Sequence, residues 1–431
     1  MTRPLLLRGG RVIDPANGRD QVADVLLERG TVRDVGLNLG APDDAQVIDV
    51  AGLVVAPGLI DVHVHLREPG QEERETIATG AASAVAGGFT GICAMPNTDP
   101  VIDNQAAVGF VKAKGEAAGL ARVYPIGCIS VGQRGERLAE FGEMVAAGAV
   151  AVSDDGHPVM SSQLMRNALE YALTFGIPVA DHCEDAPLAK GGAMHEGIVA
   201  ARLGLKGIPS AAEEIHVARD CILSGLTGGH VHLCHMSTRG SVDLIRRAKE
   251  QGLKVTAEAA PHHFALTHDR VGDYDTNAKM NPPLREEEDR EAIRAAIADG
   301  TIDCIATDHA PHHYDAKERE FDDAPNGIIG LETALSIALQ QLVRPGLIDL
   351  STMIERMSAA PARLWHLPGG SLGRGQVADV VVFDPDATWT VDPARIRSRS
   401  RNSPWLGEQL PGVVRWTIVG GRVVFDSQAS S

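Results

Sequence analysis

Two histidines one residue apart, His63 and His65, close the apolar run that begins at Leu59. Asp155, His182, His235 and Asp308 close four later runs, VAVSDD, IPVADH, HVHLCH and IDCIATD. In a β-strand alternate side chains share a face, so His63 and His65 point the same way and can grip one ion. An HxH pair alone is a weak signal among 16 histidines. Its place at a strand end, with Asp308 available from a late strand, sharpens it. Two His and one Asp around a divalent ion leave a position for water, as in catalytic rather than structural zinc. Asp155, His182 and His235 could hold a second ion, with Asp155 as the bridge. Two ions about 3.5–4 Å apart share a hydroxide and polarise a carbonyl.

A divalent ion lowers the pKa of water toward ~7, which suits attack on an amide carbonyl at neutral pH. Asp308 is then the candidate base that takes the proton and returns it to the leaving nitrogen. Arg67, two residues past His65, carries a planar fork that fits a carboxylate. Asn97 and Asn281 are further polar groups on loops beside proline, where either one alone reads first as a turn-former. His309 follows Asp308 and should point away from the ion, whereas His312 returns toward the same mouth. His262 and His263, being adjacent, send their rings apart. His230 and His232 share a strand phase with Cys234 rather than His235, which predicts positions outside the mouth. His157, His195, His216, His268 and His366 lack a strand-end context and read as solvent-facing or hydrogen-bonded.

Positioning these residues requires several strands whose ends converge. From Leu59 onward apolar strand, polar loop and helical stretch alternate, with strands expected at 59–64, 91–95, 123–127, 149–153, 177–181, 230–234, 253–257 and 302–306. Amphipathic stretches such as Thr76–Ala86 and Ser241–Glu250 lie between them. This grammar predicts an α/β fold, a (β/α)8 TIM-like barrel, whose active sites gather at the strand C-termini. An open doubly wound sheet would place its ligand at one switch point on a Gly-rich turn, and no such motif occurs. Both ends of the chain read as short strands, with GGRVID echoed by GGRVVFD. The expected organisation is a small β-sandwich from residues 1–56 and 368–431 around a barrel at 57–367. The charge-rich stretch from His312 to Gly327 reads equally as a lid or an ordered loop.

Composition narrows the function. Lys and Arg number 40 against 57 Asp and Glu, a net charge of -17, which repels phosphate backbones and argues against nucleic acid. The N-terminus has too short an apolar run for a signal peptide, and no segment approaches a membrane span. Six cysteines without CxxC pairs predict buried free thiols and a reducing, cytoplasmic setting.

The motifs DVHVHLREPG, MPNTDP, SDDG, DHCED, CHMST, KMNPPLR and ATDHAPH, taken in order, resemble the amidohydrolase superfamily. Within it they look most like the longer, multifunctional-enzyme-like bacterial dihydroorotases. The resemblance runs nearly end to end, through GSLGRGQVADVVVFD. It implies reversible cyclisation of N-carbamoyl-L-aspartate to dihydroorotate in pyrimidine synthesis. It also implies zinc on His63, His65 and Asp308, a second zinc on His182 and His235, and Asp155 between them. Arg67 and Asn97 would hold the substrate carboxylate, and Asn281 and His312 the ring, with Asn326 and Gly327 lining the pocket. His65 would also face the substrate. Many superfamily members bridge their ions with a carboxylated lysine, but here Ser153-Asp154-Asp155 stands in its place, which leaves one or two zinc ions open. Dihydropyrimidinase, hydantoinase and allantoinase are the nearest alternatives, and Arg67 argues against substrates lacking a carboxylate. An inactive scaffold would be expected to lose ligands, and all six are present. The resemblance also raises association with aspartate transcarbamoylase, and self-association is open.

Overall fold

Eight short parallel strands form a ring around the residues that end them. They span Leu59–Val64, Phe89–Ala94, Arg122–Pro125, Val152–Ser153, Val179–Asp181, Val231–Leu233, Val255–Ala259 and Cys304–Ile305. The computed structural model describes residues 3–428. The first three strands pair in one ladder and the other five in a second. Parallel bridges Gly127–Val152 and Val64–His309 join the two and close the barrel. All eight strands fall on the segments expected from hydrophobic runs. Helices Ile77–Ala86 and Arg239–Glu250 also form where expected, each started by a threonine side chain, Thr76 or Thr238, that accepts a backbone N–H of the first turn.

Period two decides which side chains enter the barrel. Cys93, Met95, Ala151, Ala180, Cys234, Cys304 and Ala306 fill its interior around Trp365. Their strand neighbours Ile92, Ala94, Val152, Val179, Leu233 and Ile305 pack outward under the helices. Asp155, His182 and Asp308 continue the inward phase of Ala151, Ala180 and Ala306. The first strand needs a correction of phase. Ile60 and Val62 face inward, yet Val64 faces outward with Leu59, and the ladder slips between Asp61 and Val64. That bulge turns His63 and His65 into the same interior. Buried Asp61 secures it by accepting N–H groups of His63 and Thr307, at 3.0 and 3.1 Å.

The two ends of the chain share one eight-stranded sheet. Leu5–Asp14 pairs with Arg19–Glu28 and with Val54–Pro57, and the latter pairs with Val380–Thr390 from the other end. Val55, Val380 and Val382 face a core of their own with Leu5, Leu7, Val12 and Val25, while Val54, Val381 and Phe383 pack on the barrel. The residues between strands Val380–Thr390 and Gln409–Val419 leave this sheet and run back across the barrel mouth.

Candidate active site

All six expected ligands meet at the C-terminal mouth, and each is buried. His63 Nε2 lies 3.5 Å from Asp155 Oδ1 and 3.5 Å from Asp308 Oδ1. His65 Nε2 lies 3.1 Å from Asp308 Oδ1 and 3.4 Å from Asp155 Oδ2. On the other side of Asp155, its Oδ1 is 3.4 Å from His235 Nε2 and 3.6 Å from His182 Nδ1. These two imidazole nitrogens are themselves 2.9 Å apart. Asp155 therefore turns one oxygen to His65 and the other to His182 and His235, while Asp308 completes the side with His63 and His65.

The local backbone brings these groups inward at a cost. Arg67, His235 and Asp308 adopt left-handed conformations, with φ of 62°, 41° and 48°. For non-glycine residues each costs on the order of 1–2 kcal/mol, so surrounding contacts must hold them. His235 depends on this most: by strand phase it would point outward beside inward Cys234, and the left-handed turn redirects it.

Hydrogen bonds leave the right nitrogens free. His63 Nδ1 donates to Glu258 Oε1 at 2.6 Å, and His65 Nδ1 donates to Asn97 Oδ1 at 2.8 Å. Both therefore present an Nε2 lone pair to the centre. His63 Nε2 is buried and has no hydrogen-bond partner among the described residues. Asn281 faces His182 Nε2 at 3.3 Å, and a half-turn of its amide lets Nε2–H donate to the otherwise unpartnered Asn281 Oδ1. With the amide so turned, the His182 Nδ1 lone pair would face Asp155 and His235. Burial alone would raise the carboxyls of Asp155 and Asp308, but the surrounding histidines outweigh it and hold both below the ordinary carboxylate range. Four imidazole nitrogens and two carboxylates converging on one buried point fit divalent metal, with sets His63–His65–Asp308 and His63–Asp155–His235 close enough to share an ion.

Residues 52–241 match the family model described as dihydro-orotase-like. A dihydroorotase of Anaeromyxobacter dehalogenans is 56% identical over 428 residues, 99% of either chain. The chain belongs to the dihydroorotase family. Another member, from Pelobacter propionicus, is 53% identical and covers 98% of this chain and 99% of its own length. Among solved structures, an L-hydantoinase (dihydropyrimidinase) from Arthrobacter aurescens matches with a TM-score of 0.88 at 26% identity, over 99% of this chain and 96% of that one. The barrel flanked by a sheet from both termini is thus the architecture of a wider group of cyclic amidohydrolases.

In this dihydroorotase-family chain the remaining site residues line the mouth unequally. Arg67 is 8% exposed, and its Nε donates to the Pro311 carbonyl at 3.2 Å. No carboxylate among the described residues forms an ion pair with it. Burial lowers its pKa to about 10, which still leaves it charged. Asn97 is already engaged, holding His65 and donating to the Asp155 carbonyl at 3.4 Å. His312 Nε2 donates to the Asn326 carbonyl at 2.7 Å, which leaves a buried Nδ1 lone pair without a partner among the described residues. Burial and the charge of Arg67 push His312 far down, so the ring is neutral. Asn326 is exposed and contributes its backbone. Gly327, at φ 113°, could not carry a side chain, because a Cβ would sit 2.5 Å from that of Ala310.

Three supports were not visible in the sequence. Glu258 is inward on the seventh barrel strand, but nothing in VTAEAA marks a glutamate as partner to a histidine 195 positions earlier. Asn402 crosses from the terminal segment to donate to the carbonyls of Ala310 and Gly327, at 3.0 and 3.1 Å, and to accept from His312 N. Asp61 shapes the bulge. His230 and His232 lie beneath the mouth inside the barrel, joined to Thr256 and Glu258. His195, His216 and His268 are buried as well, and His195 Nδ1 accepts from Arg285. The 312–327 segment is tied at its base. Lys317 Nζ donates to the carbonyls of Thr276 and Pro325, and Lys279 Nζ to those of Asp322 and Ala324.

Proposed function

We propose that this chain is a zinc-dependent dihydroorotase that interconverts N-carbamoyl-L-aspartate and (S)-dihydroorotate plus water in the cytoplasm. The observation that carries the substrate class is Arg67, a buried guanidinium without a carboxylate of its own, beside the metal ligands. An unpaired buried charge is costly, and a substrate carboxylate removes that cost. A hydantoin lacking a carboxylate would leave it.

The ligand set of four imidazoles and two carboxylates suits zinc, on His63, His65 and Asp308 and on His182 and His235, with Asp155 shared. When bound, zinc supplies an acidified water and a polarised ring carbonyl. In the hydrolytic direction, Asp308 takes the proton as the water oxygen bonds to the carbonyl carbon. It returns that proton to the ring nitrogen as the C–N bond breaks; cyclisation is the reverse. Arg67 fixes the carboxylate. The neutral His312 offers its Nδ1 lone pair to a ring N–H, and Asn281 faces the same space from the His182 side. Asn97 acts chiefly by holding His65. The six buried free thiols suit a reducing compartment, and no helix among the described residues is long and apolar enough to cross a membrane.

The test is turnover of dihydroorotate by the purified chain, with zinc content measured on the same sample. Activity lost on chelation and restored by zinc is expected, as is a folded but inactive Asp308→Ala variant. Metal bound without turnover of dihydroorotate would overturn the substrate, and turnover indifferent to chelation would overturn the zinc.

A further inference from the structure

The HVHLCH run holds two histidines that the reaction does not use. His232 is fully buried inside the barrel, with its ring edge-on to Trp365 at 5.3 Å and 88°. Its Nε2 lies 3.1 Å from Glu258 Oε2, and its Nδ1 lies 2.8 Å from Thr256 Oγ1. The same hydroxyl is 2.8 Å from Nε2 of His230, which is partly exposed at the N-terminal end of the sixth strand. Glu258 Oε1 receives His63 Nδ1–H at 2.6 Å. A hydrogen-bonded file thus runs from the barrel's far end to a metal ligand.

With His232 and His230 neutral, one placement of protons satisfies the whole file. Nε2 of His63 faces the metal, so Nδ1 carries the proton and donates to Glu258. A carboxylate only accepts, so His232 donates from Nε2 and its Nδ1 is a bare lone pair. The Thr256 hydroxyl then spends its single proton on His232, and His230 Nε2–H must donate to the Thr256 oxygen. Such groups are costly in a barrel core unless each is satisfied, and an apolar filling like Cys93, Ala180 or Ala306 would serve packing alone.

We propose that His232, Thr256 and His230 are positioning residues for the metal centre: acting through Glu258, their ordered hydrogen bonds hold His63 in the tautomer and ring orientation that present Nε2 to the ion. The proposal rests on the metal reading of His63. It assigns a shared role to three residues that lie outside the mouth and touch neither ion nor substrate.

The test measures zinc affinity by competition with a chromophoric chelator, together with the visible spectrum of the cobalt-substituted protein. His232→Leu removes the donor to Glu258 and is expected to weaken metal binding by roughly 10- to 100-fold and to alter the cobalt spectrum. His232→Gln restores an N–H near the Nε2 position and should recover most of the affinity. Thr256→Val removes one hydroxyl at nearly constant shape and should shift affinity in the same direction by less, with Thr256→Ser close to wild type. A folded His232→Leu with wild-type affinity and spectrum overturns the proposal, as does a His232→Gln no better than His232→Leu. If His232→Leu does not fold, Thr256→Val against Thr256→Ser decides. Wild-type protein that binds no zinc would overturn the metal reading itself, an outcome distinct from zinc bound equally by all variants.

Discussion

Arg67 and Glu258 show how single charged residues are set by their surroundings. Arg67 keeps a buried charge with its Nε on the Pro311 carbonyl, and the rest of its fork forms no ion pair with a carboxylate among the described residues. Arg67→Met should raise KM for both dihydroorotate and carbamoyl-aspartate by roughly 10- to 100-fold, the worth of a charge-assisted pair, with a smaller effect on kcat. Unchanged KM for both in steady-state assays would remove the carboxylate clamp. For Glu258, burial alone would raise the pKa, but in the metal-free protein the charge of His63 and the hydrogen bonds from His232 and His63 prevail and bring it from 4.5 to about 2. A depressed carboxyl stabilises the fold fully above its unfolded value and loses that contribution as pH falls through the folded one. In metal-free protein the stability difference between wild type and Glu258→Gln should therefore be level above about pH 4.5 and shrink toward pH 2. Denaturant titrations across that window check it, and a constant gap would contradict the assigned shift.

Loops and segments decide whether those residues stay in place. The strands deliver Asp155 and His182 by simple alternation, but His63 and His65 need a bulge, and His235 and Asp308 stand in left-handed turns. The terminal segment adds a clamp through Asn402, whose amide serves the carbonyls of Ala310 and Gly327 while its oxygen serves His312 N. Removing it leaves three buried backbone groups short of a partner. Asn402→Ala should cost about 2–3 kcal/mol and raise KM through loosened His312 and Gly327. Thermal unfolding and steady-state kinetics on one preparation read both effects. A change in stability without any in KM would confine Asn402 to the fold. Buried Lys279 and Lys317, each holding two carbonyls, likewise fix the base of the 312–327 loop and leave its Tyr314 tip exposed.

Across the whole molecule, the site draws its six candidate ligands from five of the eight strands or the turns after them, so a bound metal would tie together parts of the chain far apart in sequence. Metal that binds only the folded state stabilises it by mass action, by about 2.7 kcal/mol at a hundred times Kd. Chelation should lower Tm, and added zinc should restore it in a concentration-dependent way. A Tm that ignores both would mean that the ligands are not holding an ion. The terminal sheet supports this arrangement from the side: Val54, Val381 and Phe383 pack on the barrel, and the segment carrying Asn402 reaches the mouth.

The sequence by itself determined the eight barrel strands, the pairing of both chain ends and all six residues that converge on the centre. Alternation and apolar run length are local properties, and residues of types able to hold a metal stood at the ends of those runs. What only the tertiary structure decided was phase and partnership. The Asp61 bulge and the left-handed turn at His235 are local geometries stabilised by distant groups, and neither is encoded in periodicity. The pairing of His63 with Glu258, of Asn402 with the Gly327 turn, and of Asp155 with four histidines arises because barrel closure brings the strand ends to one point. A linear sequence lists donors and acceptors; closure alone determines which of them meet.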